Sequence, residues 1–431
     1  MLIAVEETGS FMPRYLKSVC AIFLCLGLCL GASAEPTTRL AKRHSAGTAH
    51  TSTRASRARR SRAVAKTTHA RGHVTSTKVV EHGRRRNGRA VLAVRRTRHR
   101  YRYSERFTAS SYADNLTLGD VTAGEDPIVR AAAIEALGNM NGTAVAINPD
   151  NGRILAMVNQ KLALSRGAEP CSTIKLSVAL AALEEGIITK DTPVNLGHGY
   201  KVNLTYALAK SINPYFEVLG RTLGFERVKH YANQFGLGEL AGYHIQGEQL
   251  GVYPDEPLPE KLGGVGRMCS FGESISMTPL QLGAIVSAIA NGGTLYYLQH
   301  PETPQDVAAF TPRVKRTLNI APIIPEIIPG MAGAVGSSYG TARSLRTSFN
   351  EFPVMGKTGT CSNDGTRFGW FASYANTPNG RIVTVFFLEG GRPTFGPKAA
   401  ELTGQFYRAL WDNSYFTPKS PTVETGSLGG Q

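Results

Sequence analysis

Ser172 and Lys175 stand three residues apart, a spacing that puts both side chains on one face of a helix, where the amine can reach the hydroxyl. A serine does not give up its proton unaided at its own pKa, so Ser172 reads as a nucleophile with Lys175 as its base. Two further motifs follow in order, Ser211-Ile-Asn213 and then Lys357-Thr358-Gly359-Thr360. Ser211 suits proton delivery to a leaving group, and the Asn213 amide suits holding a substrate carbonyl or N–H. Lys357 supplies positive charge for an anionic substrate. Two lysines near one serine disfavour each other's charge, so Lys175 is expected to lose its proton near neutral pH while Lys357 stays charged. The scheme needs no histidine, no metal and no cofactor.

Each motif alone is weak, but their order is informative, because separations of 39 and 146 residues leave room for one domain to fold back on itself. The Ser172 helix is expected to run to about Glu185 and stop at Gly186, with Ile174, Val178, Ala181 and Ala182 as its core stripe. Its N-terminal end presents free backbone N–H groups near Ser172, suited to an oxyanion. Upstream, Glu125-Asp-Pro127 opens a helix that Gly138 ends. Ala144 to Ile147 and Ile154 to Val158, joined by Pro149-Asp-Asn-Gly152, read as a hairpin. After a helical middle, strands are expected over Phe352 to Thr360, Phe368 to Ala375 and Arg381 to Glu389, with a closing helix from Pro397 to Trp411. This pattern predicts an α/β chain of the α+β type, an antiparallel five-stranded sheet covered by helices.

The net charge of +16 over 431 residues is local: residues 35 to 106 hold 21 Lys and Arg against three acids. That segment is Arg, Ser, Thr, His and Ala with few large apolar residues, and reads as a disordered linker. Arg84-Arg85-Arg86 and the Arg95 to Tyr103 stretch interleave basic and aromatic residues, a pattern that elsewhere suits nucleic acid. Ahead of it, Arg14 and Lys17, an uncharged run from Ser18 to Ala34 and the small-residue site Ala32-Ser-Ala34 read as an export signal, cleaved or retained as a membrane anchor, with Met12 a plausible start. Export argues against nucleic acid and leaves an anionic membrane surface or wall polymer as the partner the charge fits; a solvated spacer without a specific partner is the other reading. The expected organisation is 1–34 signal or anchor, 35–106 linker, 107–415 active domain and 416–431 flexible tail.

S-x-x-K, S-x-N and K-T-G in this order resemble the penicillin-binding proteins, serine transpeptidases of peptidoglycan. Thr143 to Val158 is similar to the hairpin that opens that β-lactamase/transpeptidase-like fold, and Met277 to Gly293 to the T-P-L-Q…A-N-G-G stretch of its large members. The likeness covers about residues 119 to 415. It implies a D-alanyl-D-alanine stem peptide as substrate, its terminal carboxylate held by Lys357, Thr358 and Thr360, and an oxyanion on the N–H groups of Ser172 and Thr360. It implies β-lactams as covalent inhibitors, and with the export signal a location in the periplasm or on the outer face of the cytoplasmic membrane is expected. The chain departs from the family at Cys171, where a Gly is usual, in the short segment Asn159 to Pro170, and at Gly272-Glu-Ser274 in place of G-x-G. A D,D-carboxypeptidase shares every motif. A β-lactamase is disfavoured, since no E-x-x-x-N follows and Asn213 is not apolar; a sensor or scaffold that binds penicillin without turnover is the reading from another class.

Cys20, Cys25 and Cys29 fall in the apolar run, and Cys171, Cys269 and Cys361 in the domain. Cys171 precedes the nucleophile and Cys361 follows the K-T-G-T, so converging motifs bring these two together in an oxidising compartment, either as a disulfide or as small buried thiols. Cys269 stays unpaired in both cases. Gly356-Lys-Thr358 fails as a phosphate loop because Glu351 stands where a Gly is required. Gly336-Ser-Ser-Tyr-Gly340 fits G-x-S-x-G, yet the residues before it do not make the strand a nucleophile elbow needs, which sets Ser338 aside. Six of the ten histidines precede residue 107 and none has zinc-type spacing.

Overall fold

The computed structural model describes residues 106–417 and, separately from that body, the backbone of one antiparallel hairpin, Ser76–Glu81 with Ala93–Arg98. This hairpin lies inside the segment read as a disordered linker and corrects that reading for these twelve residues. β-branched residues explain it: Val80 pairs with Val94 and Thr77 with Thr97. The export signal, Arg84 to Arg86 and the residues after 417 lie outside the described part.

In the body, β1 (Gly142–Asn148), β2 (Arg153–Val158), β3 (Val354–Asn363), β4 (Thr366–Thr377) and β5 (Gly380–Gly390) form one sheet in the order β2-β1-β5-β4-β3, antiparallel throughout. The five expected strands are present. The three late ones overrun the expected ends, because hairpin pairing from Thr366↔Asn363 and Thr377↔Gly380 continues into the turns.

The sheet is buried on both faces, so its strands are apolar at nearly every position rather than alternating. On one face Val145, Ile147, Ile154, Trp370, Val385 and Phe387 pack with α2 (Lys175–Glu184) and α6 (Pro279–Asn291). On the other, Ala144, Ala146, Phe371, Phe386 and Leu388 pack with α1 (Pro127–Leu137) and α8 (Gly396–Asp412). The first cluster also takes in α3 (Leu204–Lys210), α4 (Asn213–Leu223) and α5 (Gly264–Phe271), and α7 (Ile324–Gly336) lies beside β3.

Local signals explain the ends. Asp126 caps α1, accepting from the N–H groups of Ile128 and Val129, and Gly138 closes it at φ 56°. Thr278 and Gln281 form a reciprocal capping box at the start of α6. At the far end the expected boundary at residue 415 is too short. Phe416 is only 4% exposed, packing edge-on to Phe352 at 5.1 Å, so the folded body takes in the first residue assigned to the tail.

One buried ionic network escaped the sequence reading. Arg130 on α1 donates to Asp120 and Glu125, both at 2.8 Å, with the acid side chains 2% and 1% exposed, and His300 lies 2.9 Å from Glu125. Glu125 also accepts from the Met157 N–H on β2, tying the N-terminal segment to the sheet edge. Arg130→Met strands two buried carboxylates, and is expected to cost about 3–5 kcal/mol. The measurement is a fall in the urea midpoint at unchanged slope; a loss below about 1 kcal/mol would show that other donors suffice.

Candidate active site

The nucleophile sits on a tighter turn than expected. Cys171–Ile174 is a single 3-10 turn, and α-helical geometry begins only at Lys175. In a 3-10 turn residues i and i+3 eclipse. Lys175 Nζ accordingly lies 2.5 Å from Ser172 Oγ, with Ser172 part-exposed and Lys175 fully buried.

Ser211-Ile-Asn213 is the link between α3 and α4. Ser211 closes α3 in the left-handed region at φ 59°, and Asn213 opens α4 with Pro214 behind it. A non-glycine residue there is uncommon and marks a constrained turn. The turn points both polar side chains at Lys175, whose Nζ is 2.6 Å from Asn213 Oδ1 and 3.3 Å from Ser211 Oγ.

β3 carries the third motif on the edge of the sheet. Lys357 is fully buried, and its Nζ donates to Ser211 Oγ at 2.8 Å and to the Thr358 carbonyl at 2.9 Å. Ser211 Oγ therefore bridges the two amines. Gly359 lies against the nucleophile turn: a Cβ there would stand 2.9 Å from the Pro170 carbonyl oxygen, so only glycine lets the strand come this close. Thr358 Oγ1 donates to Thr341 Oγ1 at 2.6 Å, and Thr360 Oγ1 accepts from the Gly396 N–H at 2.8 Å. All eight expected side chains and glycines thus fall on three segments that meet at Ser172.

Burial drives the electrostatics. Desolvation, helped by the Lys357 charge, holds the Lys175 amine well below the usual lysine range, with Glu217 opposing weakly. Burial alone brings Lys357 down to about 7. Both amines are therefore lowered, and Lys357 is not the permanently charged group expected, since burial brings it to about 7. Near the turn, Glu169 is pushed up to about 7 by burial and by Glu273, with Arg267 opposing.

Cys171 and Cys361 form a disulfide with a Cα–Cα distance of 5.5 Å, which decides between the two sequence readings. Cys269 is free and buried, its thiol pushed up to about 12. The nucleophile turn is thus held to β3 by the disulfide and the Gly359 contact, and to β4 by Trp370 Nε1 donating to the Glu169 carbonyl at 2.9 Å. Sequence reasoning missed Thr341, Glu169 and Trp370. Thr341 directly follows the discarded G-x-S-x-G stretch, and its link to Thr358 is purely tertiary.

The edge of the five-stranded antiparallel sheet thus gathers a serine, two buried lysines and a bridging serine within hydrogen-bond reach of one another. Residues 142–408 match the family described as the penicillin binding protein transpeptidase domain, and the chain belongs to that family. It is 30% identical over 334 residues to stage V sporulation protein D of Bacillus subtilis, covering 65% of this chain and 50% of that one. It is 23% identical over 355 residues to the peptidoglycan D,D-transpeptidase MrdA of Haemophilus influenzae, covering 62% and 53%. The chain thus spans about half the length of the curated relatives it matches. The fold is similar to that of Pseudomonas aeruginosa PBP2, with a TM-score of 0.57 at 23% identity over 71% of this chain and 78% of that one.

The disulfide closes a separation of 190 residues. Reduction is therefore expected to lower the stability of the body by about 2–5 kcal/mol and to add two thiols to the titratable count. A thiol count that reductant leaves unchanged would show that the bridge does not form.

Proposed function

We propose that this protein is an exported peptidoglycan D,D-transpeptidase that cross-links stem peptides through an acyl-serine intermediate. The observation that carries the reading is the contact of 2.5 Å between Ser172 Oγ and an amine that burial holds well below the usual lysine range. Membership of the transpeptidase family supports it.

Neutral Lys175 takes the Ser172 proton as Oγ attacks the carbonyl of the penultimate D-alanine. The oxyanion is met by the backbone N–H groups of Ser172 and Thr360. Ser211, between the two amines, hands a proton to the departing D-alanine nitrogen and is resupplied from Lys175. The C–N bond breaks and leaves an acyl ester on Ser172. An amine of a neighbouring stem peptide then attacks the ester, giving up its proton along the same path. Asn213 spends Oδ1 on Lys175, which leaves its Nδ2 to donate to a substrate carbonyl. β3 pairs only with β4 among the described residues, so an extended peptide fits beside it as a further strand. β-Lactams are covalent inhibitors by the same attack.

Stem peptides lie outside the cytoplasm, which agrees with the export signal. Among the described residues no helix is long and apolar enough to cross a membrane. The basic segment before residue 107 suits an anionic membrane or wall polymer.

Fluorescent penicillin is expected to label the full chain stably and to fail on Ser172→Ala. Label on Ser172→Ala would place the nucleophile elsewhere, and label lost within minutes would indicate a β-lactamase. The second-order acylation rate reports the free enzyme, which needs Lys175 neutral and Lys357 charged. Because Lys357 titrates at about 7, the rate is expected to fall as pH rises through neutrality. A rate that stays flat from about pH 6 to about pH 9 would remove Lys357 charge from the capture step.

A further inference from the structure

The carboxylate end of the substrate needs donors that reach the surface, and the K-T-G motif supplies fewer than its sequence suggests. Lys357 is fully buried, and its amine already donates to Ser211 Oγ and the Thr358 carbonyl. Thr358 is 4% exposed, and its single hydroxyl proton goes to Thr341 Oγ1 at 2.6 Å. Thr341 accepts that bond on a lone pair and keeps its own proton. It is also part-exposed.

Resting on the acyl-serine reading above, we propose that Thr341 is a specificity-determining residue of this site, its hydroxyl donating to the terminal carboxylate of the substrate. The position joins two motifs. The Thr341 N–H donates to the carbonyl of Ala209, two residues before Ser211, at 3.2 Å, while its side chain meets Thr358 on β3. A carboxylate held beside Thr358 on β3 would thus come within reach of the Thr341 hydroxyl. Lys210, exposed and next to Ser211, adds positive field at the same rim.

The donor is fixed before substrate arrives. A Cβ on Gly340 would fall 2.3 Å from the Ala334 carbonyl oxygen, so glycine seats the loop on α7. The Ala342 N–H donates to that same oxygen at 2.8 Å, and Arg343 Nη1 donates to the Ser338 carbonyl at 2.9 Å. Tyr339 rests on Tyr206 of α3 with ring centroids 4.8 Å apart. A hydroxyl held this way costs little ordering on binding. The bond received from Thr358 polarises it further as a donor.

The test compares Ser172 acylation of the full chain by a fluorescent penicillin and by its methyl ester. Thr341→Val keeps the shape and removes the hydroxyl; Thr341→Ser keeps the hydroxyl. Loss of one hydrogen bond to a charged group predicts a second-order rate lower by about 10- to 100-fold for Thr341→Val on the free acid. The ester should react with Thr341→Val much as with the unaltered protein, and Thr341→Ser should retain the rate on the acid. Equal losses on acid and ester would make Thr341 a structural residue and overturn the proposal, as would an unchanged rate on the acid. An unaltered protein that shows no Ser172-dependent label overturns the acyl-serine reading itself, and this proposal with it.

Discussion

Two lysine amines buried around one serine hydroxyl are the constraint on which this structure turns. An ammonium taken out of water without a full counter-charge is costly, and the usual outcome is loss of the proton. Among the described residues Glu217 is the only acid that favours a charged Lys175, and it is outweighed by burial and by Lys357. The site thus holds more basic groups than it easily keeps charged, and the Lys175 amine is held well below its usual range beside the Ser172 hydroxyl. The charge of Lys357 is conditional in the same way. A substrate carboxylate arriving at the pocket favours its protonated form, so anionic substrate helps to create the field that holds it.

Such a site tolerates little slack, because proton transfer fails once the hydroxyl and amines drift out of hydrogen-bond reach. The fold meets this by fixing the nucleophile turn from several sides. The 3-10 turn eclipses Ser172 and Lys175, glycine at 359 lets the edge strand touch the turn, Trp370 holds the Glu169 carbonyl, and the disulfide ties residue 171 to residue 361. The sheet behind them is packed on both faces, which makes it a stiff platform rather than an edge that can twist away.

What could be read in advance follows from the range of the interactions. Ser172 and Lys175 are local partners, so spacing alone pairs them, and apolar runs bounded by turn residues locate the five strands. Contacts made only in the folded chain left weaker traces. Adjacency to two motifs suggested that Cys171 and Cys361 meet, but not whether they bond. Thr341 carries no motif, and its partners are a threonine on β3 and a carbonyl on α3. Phe416 looks like tail because the residues after it are polar, yet one aromatic ring in an aromatic cluster is enough to extend the body. The 3-10 turn had no signal in the sequence; it opens at Cys171, which is left-handed at φ 50° and bonded to Cys361 on β3.

The arrangement of hydroxyls carries the last step. Ser211 touches both amines, Thr358 touches Thr341, and Thr360 accepts from Gly396 while retaining its own proton. The inner hydroxyl of this series, Ser211, is placed to pass protons between the amines, whereas Thr341 and Thr360 are part-exposed and keep protons of their own. The division follows from depth: groups beside the buried amines exchange protons with them, and groups one layer out meet a full negative charge where water still reaches. A single edge strand thereby serves both tasks. Alternation along β3 turns Lys357 toward the base and Thr358 toward the loop that presents Thr341, so acid–base work and substrate capture are coupled through one strand without sharing a side chain.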